Sequence, residues 1–234
     1  MKVRVKFSKK GNMKFIGHLD VMRYFQKAIR RAGIDVAYTE GFNPHMIMSF
    51  ASPLGIGLTS DAEYMDLELR TSISSKEAIQ ALNQVGAEGI SVTGFVQIPE
   101  GKAAKAMTLV AAADYTIRFR SGYEPQTNWE KMLPDFFAQE SIPVLKKTKR
   151  SEKETDIRPM IYDWSVDSGT VFLKLAAGSV ENLKPDLVMN TFMNSIGFEA
   201  SPFAFEINRC EIYANIGTDG CRKLVSLYDL GVEL

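Results

Sequence analysis

The segment GHLDVMRYFQKAIRRAG, residues 17–33, combines one histidine with several cationic side chains on a predicted helix. At about 100° per residue, its apolar side chains gather on one side and its cationic side chains on the other. The cationic set is Arg23, Lys27, Arg30 and Arg31. The first three follow i, i+4, i+7 spacing, which suits a phosphate backbone. We predict that this face contacts RNA; the alternative is a solvated face on which Asp20 pairs with Arg23.

His18 falls among the apolar residues in the first turn of this helix, where the helix dipole favours neutral imidazole. A neutral imidazole can act as a general base. The second histidine, His45, follows a turn that Asn43 and Pro44 fix. His18 or His45 is therefore a candidate base for metal-independent RNA cleavage. The alternative for His18 is a packed side chain with one satisfied nitrogen.

Two further segments could contact RNA. A loop rich in polar residues and in residues that interrupt helices and strands is expected to make a specific contact with RNA. Its residues are Gly41, Phe42, Asn43, Pro44 and His45. The segment KKTKRSEKETDIR, residues 146–158, is predicted to form a strand end and hairpin tip whose cations reach phosphates. Its predicted RNA-binding residues are Lys146, Lys147, Lys149, Arg150 and Arg158. The alternative for this segment is a solubilising loop that protects a sheet edge.

The first predicted strand alternates apolar and basic residues. If its apolar residues face the helices, its basic residues lie on the open face of the sheet, where several modules of this architecture bind RNA. Those basic residues are Lys2, Arg4 and Lys6. Asp66 and Glu68 are expected on the polar face of the neighbouring strand, where cross-strand pairing would neutralise much of the patch. The strand has no exposed aromatic residues of the kind that stack bases.

The elements that position these residues follow a β-α-β-β-α-β order over residues 1–100, which is the ferredoxin-like arrangement. The same order of patterns recurs over residues 112–234. Residues 101–111 are small and weakly patterned and indicate a linker. The sequence therefore predicts an α+β fold of tandem ferredoxin-like modules.

Composition excludes several classes of protein. The 234 residues are 45% hydrophobic and carry 28 basic and 28 acidic side chains, so any nucleic-acid surface must be local. No apolar run approaches the ~20 residues of a membrane span, and the first residues lack a signal peptide's apolar region, so a cytoplasmic protein is expected. The only cysteines, Cys210 and Cys221, match no metal-ligand spacing. No metal or cofactor is predicted.

Three stretches together support a resemblance that covers most of the chain. Residues 15–33, 38–69 and 146–161 are similar to a bacterial family of unassigned function associated with radical SAM enzymes. Members occur as separate small proteins or on the C-terminal side of a radical SAM domain. The resemblance implies an accessory role beside a radical SAM enzyme. The chain has no CxxxCxxC motif to bind the iron–sulfur cluster, so we expect that it is not the radical SAM catalyst itself.

A looser, architectural likeness connects the predicted modules with Cas6-type RNA-processing proteins, several of which use a histidine in metal-independent cleavage. Three functions remain open from the sequence. The first is a non-catalytic accessory protein that binds RNA and works with a radical SAM enzyme or an RNA-processing partner. The second is a metal-independent endoribonuclease that uses His18 or His45. The third is a protein-docking scaffold without nucleic acid.

Overall fold

A computed structural model describes residues 1–101, 104–147, 152–218 and 220–234, with the side chains of residues 146, 147, 152 and 153 left out. Within these ranges the protein has a mixed α/β fold with five α-helices. None of the helices in the described ranges has both the length and the apolar composition needed to cross a membrane. The predicted mixture of helices and strands is confirmed, and the tandem ferredoxin-like arrangement stays a prediction.

The chain divides into two compact units. Unit 1 comprises Met1–Ala112 and Arg209–Leu234, and unit 2 comprises Ala113–Asn208. The sequence predicted residues 112–234 as one module, whereas residues from Arg209 onward belong to unit 1. The reason is that side chains and carbonyls of this last segment make buried contacts with the first strands of the chain.

Strands and helices are interspersed along the chain. The first half contains β1 (Lys2–Lys9), a 3-10 helix (Gly11–Phe15), α1 (His18–Arg31), β2 (Met48–Phe50), β3 (Thr59–Glu68), α2 (Ser75–Gln84), β4 (Ile90–Gln97) and α3 (Ala106–Leu109). The second half contains β5 (Val110–Phe119), a 3-10 helix (Trp129–Met132), α4 (Leu133–Phe137), β6 (Pro143–Lys147), β7 (Glu152–Asp156), a 3-10 helix (Arg158–Met160), β8 (Ile161–Asp167), β9 (Thr170–Ala176), α5 (Pro185–Ser195), β10 (Phe205–Asn215) and β11 (Leu224–Ser226).

The sheet of unit 1 has the strand order β4-β1-β3-β10, with β2 paired to β3 and β11 paired to β10. Strand β1 runs antiparallel to both β3 and β4. The alternation in β1 places Val3, Val5 and Phe7 in the hydrophobic core, where they pack with Phe25 and Ile29 of α1. The predicted apolar face of β1 is therefore confirmed.

Ser74 and Ser75 precede apolar residues at helical spacing, which predicts the start of a helix, and α2 begins there. Ser74 is the N-cap, and its Oγ accepts a hydrogen bond from Glu77 N, while the Glu77 carboxylate accepts one from Ser74 N. This reciprocal capping box satisfies two backbone donors at the start of the helix.

Two segments differ from what their sequence patterns predict. The pattern of residues 34–38 predicts a strand, but these residues form isolated bridges, Val36 with Leu69 and Tyr38 with Met46. The pattern over residues 129–139 predicts one helix, but the structure has a 3-10 helix followed by α4. Pro134 lies in the first turn of α4, where its missing N–H costs no hydrogen bond.

In unit 2 the strand order is β5-β9-β8, and β6 and β7 form a separate two-stranded hairpin. Aromatic side chains from the helices fill its core. The Phe136 and Phe192 rings lie 5.3 Å apart, and Phe137 stacks on Trp164 at 4.6 Å.

Candidate nucleic-acid interface

Helix α1 is amphipathic, as its sequence predicts. Val21, Phe25, Ala28 and Ile29 are buried against the sheet of unit 1. The opposite side carries exposed cations, which we call the cationic stripe. The cationic stripe consists of Arg23, Lys27, Arg30 and Arg31. The helix ends before Gly33, which has a φ of +68° and so adopts the left-handed conformation that commonly stops a helix.

The members of the cationic stripe differ in their pairing. Arg23 pairs with Asp20 at 3.4 Å, as the alternative interpretation of this helix predicted. Lys27, Arg30 and Arg31 form no ion pair with any residue that the structure describes. Arg23 to Arg31 span about 12 Å along the helix axis, which is the length of a few nucleotides. The stripe can therefore neutralise several consecutive phosphates.

The basic face of β1 is covered, which corrects the prediction that it lies open. Arg4 is 0% exposed; its Nε donates to Asp66 Oδ1 at 2.8 Å and its Nη1 to Leu227 O at 3.0 Å. Lys6 pairs with Glu211 at 2.7 Å, and Lys2 pairs with Glu100 at 3.3 Å. The expected neutralisation by Asp66 is confirmed. Contacts with Leu227 and Ala104 bury Arg4, and Lys2 and Lys6 are half-buried in ion pairs, so these three cations do not form an open basic face.

The second basic segment has only one cation whose side chain the structure describes. Arg158 is half-buried; its Nε donates to Phe137 O at 2.9 Å and its Nη1 to Ile161 O at 3.1 Å. These bonds hold its guanidinium in the fold of unit 2, so we leave Arg158 out of the proposed interface. The backbones of Lys146 and Lys147 lie in β6, opposite β7. Lys149 and Arg150 lie outside the described residues.

The predicted contact loop is exposed throughout. The backbones of Thr39 and His45 are joined by a hydrogen bond of 2.9 Å, which closes the loop at its base. Gly41 has a φ of +110°, a conformation that favours glycine, and Phe42 beside it is 99% exposed. The loop therefore presents an aromatic ring at its tip, and its predicted role in RNA contact stays a prediction.

The two histidines occupy different surroundings. His18 is half-buried at the start of α1, and its ring packs edge-on against Phe50 at 5.0 Å. It lines a small pocket with Lys9 and Glu63. His45 lies in the exposed loop and does not line this pocket.

The pocket holds charged residues that sequence reasoning missed. Lys9 is buried and its Nζ donates to Ile16 O at 3.0 Å. Burial lowers the pKa of Lys9, the nearby Glu63 carboxylate opposes this shift, and Arg209 adds to it. Glu63 accepts hydrogen bonds from Arg209 Nε at 3.0 Å and from Nη2 at 2.6 Å. Arg209 is distant in sequence, so no local pattern could indicate this cluster.

Sequence reasoning also missed three exposed apolar side chains near the N-terminus of α1. Phe15, Leu19 and Ile56 are 63%, 59% and 66% exposed. We call these three residues the apolar platform. The only signal in the sequence was the position of Phe15 and Leu19 beside the predicted start of the helix.

No group of three or more His, Cys, Asp or Glu side chains in the described part of the chain could hold a metal ion. Cys210 is half-buried and Cys221 is exposed.

Several solved structures contain chains that are similar to this one, and two of them are described next. One belongs to the "Crystal Structure of a Cbf5-Nop10-Gar1 Complex", with 12% identity, a TM-score of 0.47, and coverage of 90% of this chain and 48% of that chain. The other belongs to the "Crystal structure of the archaeal box H/ACA sRNP Nop10-Cbf5 complex", with 11% identity, a TM-score of 0.42, and coverage of 88% and 46%. This chain thus spans about half the length of either.

A comparison with curated proteins gave no match. Residues 2–185 match a family model described as "Uncharacterized protein conserved in bacteria (DUF2344)". The match includes α1, the contact loop, the pocket residues Lys9, His18 and Glu63, and most of unit 2. Because it covers well over half of the chain, the protein belongs to this bacterial family.

Proposed function

We propose that this protein is an RNA-binding accessory protein that acts beside a radical SAM enzyme, and that the RNA backbone lies along α1. The observation that carries the proposal is the run of exposed cations on one rigid helix, of which Lys27, Arg30 and Arg31 pair with no described carboxylate. The resemblance of residues 15–33 and 38–69 supports the radical SAM partner.

Charge reversal on α1 tests the RNA contact. We expect Lys27→Glu, Arg30→Glu and Arg31→Glu together to weaken binding of an unstructured RNA oligonucleotide by roughly 30- to 100-fold at low salt, because each change removes one phosphate contact and adds a repulsion. The slope of log affinity against log salt should fall by about 2, at roughly 0.7 per lost contact. Fluorescence anisotropy with EDTA present measures both quantities.

The matched control is a triple variant with the same change in charge, made at exposed lysines elsewhere: Lys76→Glu, Lys131→Glu and Lys184→Glu. It should change affinity by less than about threefold. An equal loss of RNA affinity in both triple variants would mean that net charge alone governs binding. Unchanged binding in the α1 variant would contradict the proposal.

The accessory role has a separate test. The purified chain and a radical SAM protein from the same bacterium are mixed and separated by size-exclusion chromatography, with and without RNA. We expect a complex that persists after charge reversal on α1, because the stripe is assigned to RNA. A complex that forms equally well with and without RNA, together with no RNA binding by the chain, would favour the docking scaffold instead.

One observation favours a second function, the metal-independent endoribonuclease. His18 and Lys9 line the same pocket, so a base and a cation that could stabilise phosphorane charge lie together. For this function we expect cleavage of the bound RNA with EDTA present, and its loss by at least 100-fold in His18→Gln, while His45→Gln keeps full activity. RNA that stays intact at saturating protein, analysed on a denaturing gel, would exclude cleavage by this pocket.

A further inference from the structure

We propose that the RNA bound along α1 is single-stranded, and that one unpaired base stacks on the apolar platform at the N-terminal end of the helix. This inference rests on the proposed function and names the class of RNA that the same site takes.

The members of the apolar platform lie together. Gly57 N donates to Lys14 O at 2.7 Å, which holds the loop that carries Ile56 against the 3-10 helix that ends at Phe15. The position that a Cβ would take on Gly17 lies 4.0 Å from Ile56 Cδ1. Gly17 is two residues from both Phe15 and Leu19. Single exposed apolar residues are ordinary, but three beside one another mark a contact surface.

The platform is continuous with the cationic stripe. Leu19, Arg23 and Lys27 follow i, i+4 and i+8 along α1, and all three are exposed. At 100° per residue they lie within about 80° of one another, so they share one face of the helix. A ligand on this face meets apolar surface at one end and cations over the following turns.

The charges near the platform and along the stripe indicate which part of a nucleotide each of these two surfaces binds. Asp20 lies next to the platform: the same Cβ position on Gly17 is 3.9 Å from Asp20 Oδ2. A carboxylate there repels phosphate but tolerates a neutral base. Lys14 Nζ lies over one face of the Phe15 ring, 5.3 Å from its centre, so a base must stack on the opposite face or displace the ammonium group. The platform therefore fits a base, and the stripe fits the backbone that follows it.

The occupant must have an accessible base. In a duplex the bases are stacked inside the helix and cannot reach an aromatic side chain on a protein surface. In single strands each base has a free face, and stacking on an aromatic residue contributes about 1–3 kcal/mol per base, or roughly 5- to 150-fold in affinity.

The test compares Phe15→Ala, Phe15→Leu and Phe15→Tyr for binding of one RNA, free and annealed to its complement. We expect Phe15→Ala and Phe15→Leu to lose roughly 5- to 150-fold in affinity for the single strand, while Phe15→Tyr stays within about threefold of the wild type. Phe203→Ala, at an exposed phenylalanine of unit 2, is the matched control and should have no effect. Wild-type protein should prefer the single strand over the duplex, and 2-aminopurine in the RNA should change its fluorescence on binding only when an aromatic residue is present at position 15.

The outcomes separate the two proposals. If charge reversal of the stripe weakens binding but Phe15→Ala and Phe15→Leu bind like the wild type, or the duplex binds as well as the single strand, stacking is overturned and the RNA-binding function stands. If the wild type binds no RNA, both proposals fall. Loss of assembly with the radical SAM protein in Phe15→Ala, with RNA binding unchanged, would assign the platform to a protein contact and overturn stacking. Because Phe15 is exposed, circular dichroism should show all these variants folded.

Discussion

Asp66→Ala should lower the free energy of unfolding of unit 1 by about 3–5 kcal/mol. Asp66 accepts hydrogen bonds from Arg4 Nε at 2.8 Å, Arg4 Nη2 at 3.2 Å and Ala106 N at 2.7 Å. Arg4 is fully buried, so removing the carboxylate leaves an uncompensated positive charge inside the protein. The cost of that buried charge exceeds the value of the ion pair itself.

The measurement must report on unit 1. Both tryptophans, Trp129 and Trp164, lie in unit 2, so their fluorescence follows the wrong unit. Hydrogen exchange of peptides from β1 and β3, measured by mass spectrometry over a urea series, follows unit 1 directly. Asp20→Ala, which breaks an exposed pair, is the control and should cost under about 1 kcal/mol. An effect of Asp66→Ala as small as that would contradict the prediction.

If Asp66→Ala does not fold, a double variant keeps the prediction testable. Arg4→Met with Asp66→Leu removes both charges and leaves apolar side chains of similar volume. Replacing a buried pair in this way is often neutral or stabilising. We expect the double variant to fold and to regain part of the stability that the single variant loses, since it removes the buried charge but still leaves Ala106 N without its acceptor.

Glu63→Ala should have a comparable effect, about 3–5 kcal/mol, for a related reason. It leaves the buried guanidinium of Arg209 without the carboxylate that accepts its three hydrogen bonds at 2.6–3.0 Å. Arg209 Nη2 also donates to Ser52 O at 2.7 Å, so the loop after β2 should loosen as well. Glu63→Gln keeps one acceptor oxygen and should lose less than Glu63→Ala.

Glu63→Ala should also change how the free energy of unfolding depends on pH. Burial holds the pKa of Lys9 below its ordinary value of 10.5, and Glu63 is the charge that opposes this shift. Between the folded-state pKa and 10.5, the unfolded chain binds the proton more than the folded chain does, so stability rises with pH. Without Glu63 the pKa of Lys9 falls further and this window widens toward lower pH.

The destabilisation by Glu63→Ala should therefore be larger at about pH 7 than at about pH 10. Hydrogen exchange cannot be compared simply over that range, so urea unfolding followed by circular dichroism is the measurement. Lys9→Met combined with Glu63→Ala should remove the difference between the two pH values. A destabilisation that is the same at both pH values would show that Lys9 is not coupled to Glu63.

Local patterns predicted the parts of the fold that depend on short segments. The helical period placed Phe25 and Ile29 in the core and the cations of α1 outside. The alternation in β1 separated Val3 and Val5 from its basic residues. The alternation of apolar and polar residues in a strand does not show whether the polar face contacts water or another part of the chain. The carbonyl of Leu227 accepts from Arg4, and 223 residues separate them.

The candidate site was predictable only in part, for the same reason. Its cations lie on one helix and follow one period, so the sequence identified them. The platform joins Phe15 and Leu19 to Ile56 through a loop whose position depends on the hydrogen bond from Gly57 to Lys14. The pocket of His18 depends on β1 and β3 lying side by side. Neither contact leaves a pattern in a single segment.

The division of unit 1 into two segments has a consequence for synthesis. The ribosome must produce all of unit 2, about a hundred residues, between Ala112 and Arg209. At roughly 5–20 residues per second, this takes on the order of 5–20 seconds. During that interval Glu63 has been synthesised but its partner Arg209 has not. The same holds for the polar face of β1 and the backbone near Leu227 that covers it. Unit 2 is one continuous segment and can fold as it emerges from the ribosome. Unit 1, whose synthesis begins first, is therefore completed last.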